Sequence, residues 1–409
     1  MESMIPTWQV SFLCGILTWI VLSSMFNLTR MIRSLTQPWV SSCVASGLPV
    51  ILQIQKYQHT VLDALFVGLS SVVSVPFYTG FLPLLFWSGH GKLARQMTFL
   101  MAFCDYTGNC IKDVVSAPRP KSPLVRTLTV TKDEKENATE YGFPSSHTLN
   151  TVCLSGYLLH YVLSYNESSD ASFQLTAFAC VCLFVGLIGF GRIYLGMHSV
   201  VDIVGGLVLG LAILEFWLCI HEHVDSFVIS DQNVTSFWVA LSILLLFAYP
   251  TPELPTPSFE FHTAFTGVAL GIVTGVQQTY DHFHHEHVAR VFTPELPIAL
   301  FAGRILVGIP TILVVKFCSK ALAKWILPIT ANALGIFIRS SGYVPALTTS
   351  STVKKSNEVK QSNGYLQKML FFSNQDSFDV DTGIRLLQYA GLAWSVVDLV
   401  PSIFSQLNL

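Results

Sequence analysis

The chain has 409 residues, of which 51% are hydrophobic and only 12% are charged, and its mean hydropathy is +0.54. Soluble domains carry about 25% charged residues, so this composition excludes an ordinary soluble enzyme and a disordered chain. The net charge of −2 gives no basic field for a polyanion, which excludes a nucleic-acid-binding protein. The composition predicts a multi-pass protein whose surroundings are membrane lipids.

Apolar segments long enough to cross a bilayer as helices, about 20 residues each, follow one another along the chain. In chain order they cover 8–28, 61–87, 94–111, 147–165, 172–190, 199–220, 235–250, 261–278, 297–317 and 384–407, with an ambiguous amphipathic segment at 321–338. They are too long for barrel strands, and backbone groups in lipid must be satisfied within each segment. The predicted fold class is therefore all-α, with eight to ten transmembrane helices.

Three short polar clusters interrupt the apolar segments. They are KDVVSAPRP at 112–120, YGFPSSH at 141–147 and GRIYLGMHSVVD at 191–202. The third apolar segment ends at the first cluster, the fourth begins at the second, and the sixth begins at the third. Counting the crossings places all three clusters on the same membrane face. Ionisable residues at membrane depth are costly, so this face is the predicted functional site.

The cationic and imidazole side chains of the clusters are suited to phosphate chemistry. Lys112, Arg119 and Arg192 supply three positive charges, and the arginine fork matches phosphate oxygens. Taken singly, Lys112 and Arg119 would be ordinary charges at a helix end, which is the commoner role. His147 and His198 are the side chains best suited to proton transfer and nucleophilic attack near neutral pH.

The remaining polar residues complete this pocket. Asp202 lies one helical turn after His198, where a carboxylate can hold one ring nitrogen as a donor and leave the other as a nucleophile. Ser145 and Ser146 lie at the start of a helix, where free N–H groups and the helix dipole favour an anion. The residues predict a phosphate pocket with a nucleophile and an acid, and the chemistry requires no metal and no cofactor.

The pattern K-x6-RP, PSxH and R-x5-H-x3-D resembles the type 2 phosphatidic acid phosphatase superfamily, over roughly residues 100–220. The resemblance implies a six-helix core of the acid phosphatase and haloperoxidase type, with a lipid phosphate as the substrate. It makes His198 the nucleophile that forms a phosphohistidine, Asp202 its orienting partner and His147 the acid. The phosphate ligands that it implies are Lys112, Arg119, Ser145 and Arg192, and the Ser146 hydroxyl adds a further predicted ligand beside them.

Two positions depart from the usual motifs of this superfamily. Ser146 stands where glycine is usual, and Gly191 stands where serine is usual. YGFPSSHT and GRIYLGMHSVVDIVGG are similar to the sphingosine-1-phosphate phosphatase branch, which implies a long-chain base phosphate as substrate and the endoplasmic reticulum membrane as location. Alternatives are phosphatidate or a polyprenyl diphosphate as substrate, or a non-catalytic lipid transporter with the same fold. The sequence does not indicate which oligomeric state the protein has.

The orientation of the site has two opposed indications. The lysines and arginines of the loops favour a cytosolic site, whereas the resemblance implies a lumenal one.

The apolar segments and clusters divide the chain into five parts. We expect N-terminal transmembrane segments in 1–90, a catalytic lipid phosphatase core in 91–222, additional transmembrane helices in 223–340, a polar loop in 341–380 and a C-terminal transmembrane helix in 381–409.

Two other polar segments have a simpler interpretation. The histidine-rich segment 281–287 has no helical ligand spacing, so we expect a solvated loop on the opposite face rather than a metal site. The proline-rich segment 249–261 is typical of a connector between two helices.

Overall fold

The computed structural model describes residues 5–120, 124–130, 134–135, 138–165, 170–254, 256–285, 288–336, 338–339 and 378–409. The helices are α1 (Thr7–Met25), α2 (Leu28–Gln55), α3 (Thr60–Ser71), α4 (Val75–Trp87), α5 (Gly91–Val115), α6 (Ser146–Tyr165), α7 (Ala171–Tyr194), α8 (Val200–Val228), α9 (Val234–Ala248), α10 (Ser258–Thr279), α11 (Ile298–Ala333), α12 (Val380–Val397) and α13 (Leu399–Leu407), with a π-helical turn at Tyr280–His284. Most of the predicted polar loop at 341–380 lies outside the described residues. Its two ends meet, since Ile338–Arg339 pairs in parallel with Phe378–Asp379.

The all-α, multi-pass architecture predicted from the sequence is confirmed. Within the described ranges, seven helices are long and apolar enough to cross a membrane, or eight if the bent pair α3–α4 forms one span. Helices α5 and α6, with 25 and 20 residues, are more polar than these seven helices, because they carry two of the clusters. Large apolar side chains are exposed along α1, α2, α7, α8 and α11, as expected for surfaces that contact lipid.

Three of the predicted segment boundaries were wrong. Helix α2 forms one 28-residue helix although Pro38 and Pro49 lie within it, and the sequence analysis had assigned no span there. The single segment predicted at 61–87 is two helices that meet at an angle of 49°. Conversely, most of the segments at 297–317 and 321–338 belongs to the single 36-residue helix α11, which continues through Lys320 between them.

Helix α5 lies at the centre of the bundle. It packs against α2, α4, α6, α8 and α10, and its buried residues join the main hydrophobic core. Helix α8 approaches the start of α6 closely at Gly206, where an added Cβ would lie 2.6 Å from the carbonyl oxygen of Ser145. This contact places the third cluster directly against the second.

The C-terminal helix α12 is part of the core rather than a peripheral anchor. It packs along α10, and an added Cβ at Gly271 would lie 2.2 Å from the carbonyl oxygen of Ala390. The indole nitrogen of Trp87 in α4 donates a 3.0 Å hydrogen bond to the carbonyl of Val396. The helices that follow the clusters in sequence therefore support α5, which carries the first cluster.

Candidate active site

The three polar clusters meet where α5 and α7 end and α6 and α8 begin. The Nζ of Lys112 donates a 2.7 Å hydrogen bond to the hydroxyl of Ser146, which joins the first cluster to the second. The Nη1 of Arg119 lies 3.1 Å from Nε2 of His198, which joins the first cluster to the third. Lys112, Arg192 and His198 are each only 1% exposed. Residues separated by up to 86 positions thus form one buried polar site.

The contact with Arg119 defines the tautomer of His198. A guanidinium has only donors, so Nε2 must accept this hydrogen bond and the ring proton must lie on Nδ1. Nδ1 faces Asp202, whose Oδ2 is 3.7 Å away. That separation is too long for a hydrogen bond, although such contacts often shorten when a ligand binds. His198 therefore presents the unprotonated Nε2 to the cation that would bind phosphate.

Asp202 is held rigidly behind this histidine. Its side chain is fully buried, and Oδ2 accepts a 2.7 Å hydrogen bond from the backbone N–H of Ser199 at the start of α8. Its carbonyl oxygen accepts a 3.0 Å hydrogen bond from the N–H of Ser145. One residue thus connects the histidine of the third cluster to the serine of the second, and its carboxylate suits an orienting role.

The three cations differ in how firmly the protein holds them. Arg119 donates to the carbonyl oxygens of Met197 at 2.5 Å and Glu140 at 2.9 Å, so its guanidinium is fixed beside His198. Arg192 has a longer contact, 3.5 Å from Nη1 to the hydroxyl of Ser70, and its buried Nε has no hydrogen-bond partner within the described ranges. A buried cation in that state is available to an anionic ligand.

The second cluster provides the start of α6. The hydroxyl of Ser145 accepts hydrogen bonds from the N–H of Thr148 at 3.4 Å and from its hydroxyl at 3.2 Å, so it caps the helix. Ser146 points to Lys112, as described above. His147 follows in the first turn and lies close enough to His198 to affect its ionisation.

The electrostatics of the site favour a neutral His198. Burial lowers the pKa of this imidazole well below its ordinary value, and the surrounding cations and His147 lower it further. Burial also lowers the pKa of Arg119, while the carboxylates of Glu140 and Asp202 raise it and so offset part of that effect. At neutral pH the ring nitrogen that faces the cations therefore keeps its lone pair.

Glu140 is a member of the site that the sequence analysis missed. Its Oε2 accepts a 2.5 Å hydrogen bond from Nζ of Lys112 and lies 3.8 Å from Nη2 of Arg119. Oε1 lies 3.3 Å from the hydroxyl of Ser258. Glu140 comes immediately before the second cluster in sequence, which was the one available signal, and it is 7% exposed.

The proline-rich segment 249–261 is more than a connector, because it folds onto the first cluster. The hydroxyls of Tyr249 and Thr256 donate to the carboxylate of Asp113, at 2.6 and 3.0 Å. Arg33 of α2 donates to the carbonyl oxygens of Asp113 at 2.9 Å and Thr251 at 2.6 Å. The segment thus links α2 to the end of α5.

The comparison with known proteins agrees with this geometry. The model of the PAP2 superfamily matches residues 93–226, which contain all three clusters. The chain is 68% identical to lipid phosphate phosphatase delta of Arabidopsis thaliana over 403 residues, which cover 98% of this chain and 97% of that protein. The chain belongs to the PAP2 superfamily.

More distant relatives share much of the chain. A dihydrosphingosine 1-phosphate phosphatase of Schizosaccharomyces pombe is 27% identical over 87% of this chain and 86% of its own length. Sphingosine-1-phosphate phosphatase 2 of Mus musculus is 27% identical over 63% of this chain and 73% of its own. The first of these similarities extends well beyond the region that the PAP2 model covers, into the helices that pack around α5.

The histidine-rich segment lies at the opposite end of the PAP2 bundle, as expected, but it is only partly solvated. His284 is buried, and its Nε2 lies 2.6 Å from the carbonyl oxygen of Val397, so the prediction of a solvated loop was wrong for this residue. His284 and His285 line a polar cavity of about 440 Å³ together with Arg95, which forms a buried ion pair with Asp225 at 2.8 Å. Glu286 and His287 lie outside the described residues.

The part of the PAP2 chain that the structure describes contains no candidate metal site. No group of three or more His, Cys, Asp or Glu side chains there is arranged to hold a metal ion. The absence of a metal requirement stays a prediction, and it has a direct test below.

Proposed function

We propose that this protein dephosphorylates long-chain sphingoid base 1-phosphates, such as dihydrosphingosine 1-phosphate, through a phosphohistidine intermediate. The observation that carries the proposal is the buried His198, which presents a neutral Nε2 to Arg119 while Asp202 lies behind its other nitrogen. The names of the relatives support the substrate class. The catalytic core would be the part at 91–222, within an endoplasmic reticulum membrane.

Binding would place the phosphate among the cations at the membrane surface and the aliphatic tail between the helices. Lys112, Arg119 and Arg192 would contact the phosphate oxygens, with Ser145 and Ser146 beside them at the start of α6. Preorganised cations of this kind stabilise the charge of a phosphoryl transition state, and this is where most of the rate acceleration is expected. An incoming phosphate would also take the Arg119 N–H away from Nε2 of His198 and so release the nucleophile.

The chemistry would proceed in two displacements. Nε2 of His198 attacks phosphorus, the bond between phosphorus and the ester oxygen breaks, and His147 donates a proton to the departing alkoxide. A water molecule then attacks the phosphorus of the phosphohistidine, His147 accepts its proton, and the P–N bond breaks to release inorganic phosphate. Asp202 would stabilise the ring of His198 in both steps.

The activity is expected to persist below pH 6.5, the ordinary histidine pKa. A protonated His198 has no lone pair, so activity is lost only as the pH falls through its lowered pKa. Arg119→Met removes the neighbouring charge, which raises the pKa of His198. The fall in kcat/KM at acid pH therefore moves to higher pH. The measurement is kcat/KM against pH for both proteins, normalised to each maximum. A wild-type kcat/KM that already falls at or above pH 6.5, with the same pH dependence in the variant, would contradict this role of His198.

The alternative substrates are separated by a panel assayed with purified protein in detergent. We expect faster phosphate release from dihydrosphingosine 1-phosphate than from phosphatidate or a polyprenyl diphosphate, and full activity in EDTA. A preference for phosphatidate or for the diphosphate would contradict the proposed substrate class but would leave the proposed mechanism in place. Loss of activity in EDTA with recovery on adding a divalent cation would overturn the metal-free mechanism. No phosphate release from any lipid would favour the transporter.

A further inference from the structure

The mechanism above gives no role to Glu140, the buried carboxylate among the phosphate-binding cations. Its backbone carbonyl holds Arg119 at 2.9 Å, and its Oε2 holds Lys112 at 2.5 Å. Both its main chain and its side chain are therefore fixed within the site. Oε1 differs from Oε2, because its one hydrogen-bond partner within the described ranges is the hydroxyl of Ser258 at 3.3 Å. An ionised carboxylate can accept about four hydrogen bonds, so Oε1 has capacity for a ligand donor.

A carboxylate is an unfavourable neighbour for a phosphate dianion. Oε2 of Glu140 lies 2.5 Å from Nζ of Lys112 and 3.8 Å from Nη2 of Arg119, so this carboxylate offsets part of the positive charge that would bind the phosphate. A phosphate dianion without another charged group would bind beside this carboxylate in a buried site. Two negative charges close together are costly away from water.

A substrate that carries an ammonium group beside its phosphate compensates this carboxylate. In a sphingoid base 1-phosphate the ammonium lies on the carbon next to the phosphoester carbon. It would offer Glu140 a positive partner that a phosphate alone lacks. The carboxylate that disfavours phosphatidate therefore favours an amino lipid phosphate.

We propose that Glu140 is a specificity-determining residue, whose Oε1 accepts a hydrogen bond from the ammonium of the substrate while Oε2 holds Lys112 on the phosphate. This inference rests on the proposed function, since it explains why an amino lipid phosphate would be selected. Ser258, at the start of α10, donates a 3.3 Å hydrogen bond to Oε1 and so holds its position. Helix α10 and the segment before it would thus contribute to substrate selection, although they lie outside the matched PAP2 region.

A positioning role limited to Lys112 is the competing explanation, and the two differ in what a substitution does. Glu140→Gln keeps the size of the side chain and removes its charge. If Glu140 only positions Lys112, the change lowers kcat/KM for every substrate by a similar factor. If Glu140 also binds the ammonium, the change lowers kcat/KM for amino substrates by an additional factor, largely through KM.

The experiment compares dihydrosphingosine 1-phosphate with the same lipid in which hydrogen replaces the amino group. Glu140→Gln is expected to reduce the preference for the amino lipid about 10- to 100-fold, the usual effect of one lost hydrogen bond between charged groups. Activity toward the amine-free lipid is expected to fall by a smaller factor, because that lipid loses only the positioning of Lys112. An equal fall for both lipids would overturn the inference, as would a wild-type protein that shows no preference between them.

Asp113→Asn is the matched control. Asp113 is also a buried carboxylate and adjoins Lys112 in sequence, but both its oxygens are bonded, to Tyr249 and Thr256. Its substitution is expected to leave the preference unchanged. A loss of preference equal to that of Glu140→Gln would mean that the overall charge of the site, and not Glu140, determines the preference.

If Glu140→Gln does not fold, Glu140→Asp keeps the charge but withdraws it by one methylene. A reduced preference is again expected, and a wild-type preference would contradict the inference. Failure of the wild type to hydrolyse either lipid would instead refute the proposed function.

Discussion

Replacing His198 with alanine is expected to lower kcat/KM for dihydrosphingosine 1-phosphate by at least about 10⁴-fold, the scale of loss when a nucleophile is removed. The reason is geometric. His198 is the residue whose unprotonated nitrogen faces Arg119, and its burial and cationic surroundings keep that nitrogen free of a proton. The measurement is the steady-state release of phosphate by purified protein that elutes in detergent as the wild type does.

His221→Ala is the control for this substitution. His221 lies on the same helix, α8, and is also buried, but it is near the opposite end, where Nδ1 contacts the carbonyl oxygens of Trp217 and Leu218. Its replacement makes a comparable void and is expected to leave the activity close to that of the wild type. Substantial turnover by a folded His198→Ala protein would remove His198 from the mechanism.

Replacing His147 with glutamine is expected to cost about 10²- to 10⁴-fold in kcat for the same lipid, the usual contribution of a general acid or base. His147 stands in the first turn of α6, next to the Ser146 that contacts Lys112. A sphingoid alkoxide is a poor leaving group that needs a proton as the ester bond breaks. The loss is therefore expected to depend on the leaving group.

p-Nitrophenyl phosphate provides this comparison, because its phenolate leaves without protonation. With this ester, His147→Gln is expected to form the phosphohistidine at nearly the wild-type rate, seen as a burst of nitrophenolate, and then to hydrolyse it slowly. An equal loss of the first step for both esters would indicate that His147 binds phosphate and does not transfer a proton.

The meeting of the three clusters could be predicted from the sequence because it depends only on the number of crossings between them. Each cluster adjoins the end of a long apolar segment, and a helix of about 20 residues must emerge on the other face. The structure places Lys112 against Ser146 and Arg119 against His198, in agreement with that count. The roles of these residues stay predictions until the substitutions are made.

Glu140 and the segment 249–261 could not be assigned in this way. Their contacts to the first cluster join residues that lie between 21 and 143 positions apart, and no spacing rule connects them. The prolines in 249–261 indicated a connector between two helices, and the described residues of the segment do connect α9 to α10. The side chains between the prolines determine what the connector contacts. A single acidic residue beside a motif gives no such information until the helices are placed.

Helices α2 and α11 show where hydropathy alone fails in a membrane protein. Arg33, Gln37 and two prolines lower the hydropathy of α2, yet Arg33 and Gln37 bind backbone carbonyl groups at the end of α5. In α11, Lys316 lies 4.8 Å from the centre of the Tyr389 ring. Polar groups that find partners on neighbouring helices are tolerated in long helices, so their presence does not end a span.

The most direct test of the mechanism is to identify the residue that carries phosphate during turnover. His147→Gln protein would be mixed with p-nitrophenyl phosphate, quenched in alkali, where phosphohistidine survives, and mapped by peptide mass spectrometry. The mechanism predicts one phosphate on the peptide that contains His198, and none in the double variant that also carries His198→Ala. Phosphate on another residue, or a burst of nitrophenolate in the double variant, would contradict it.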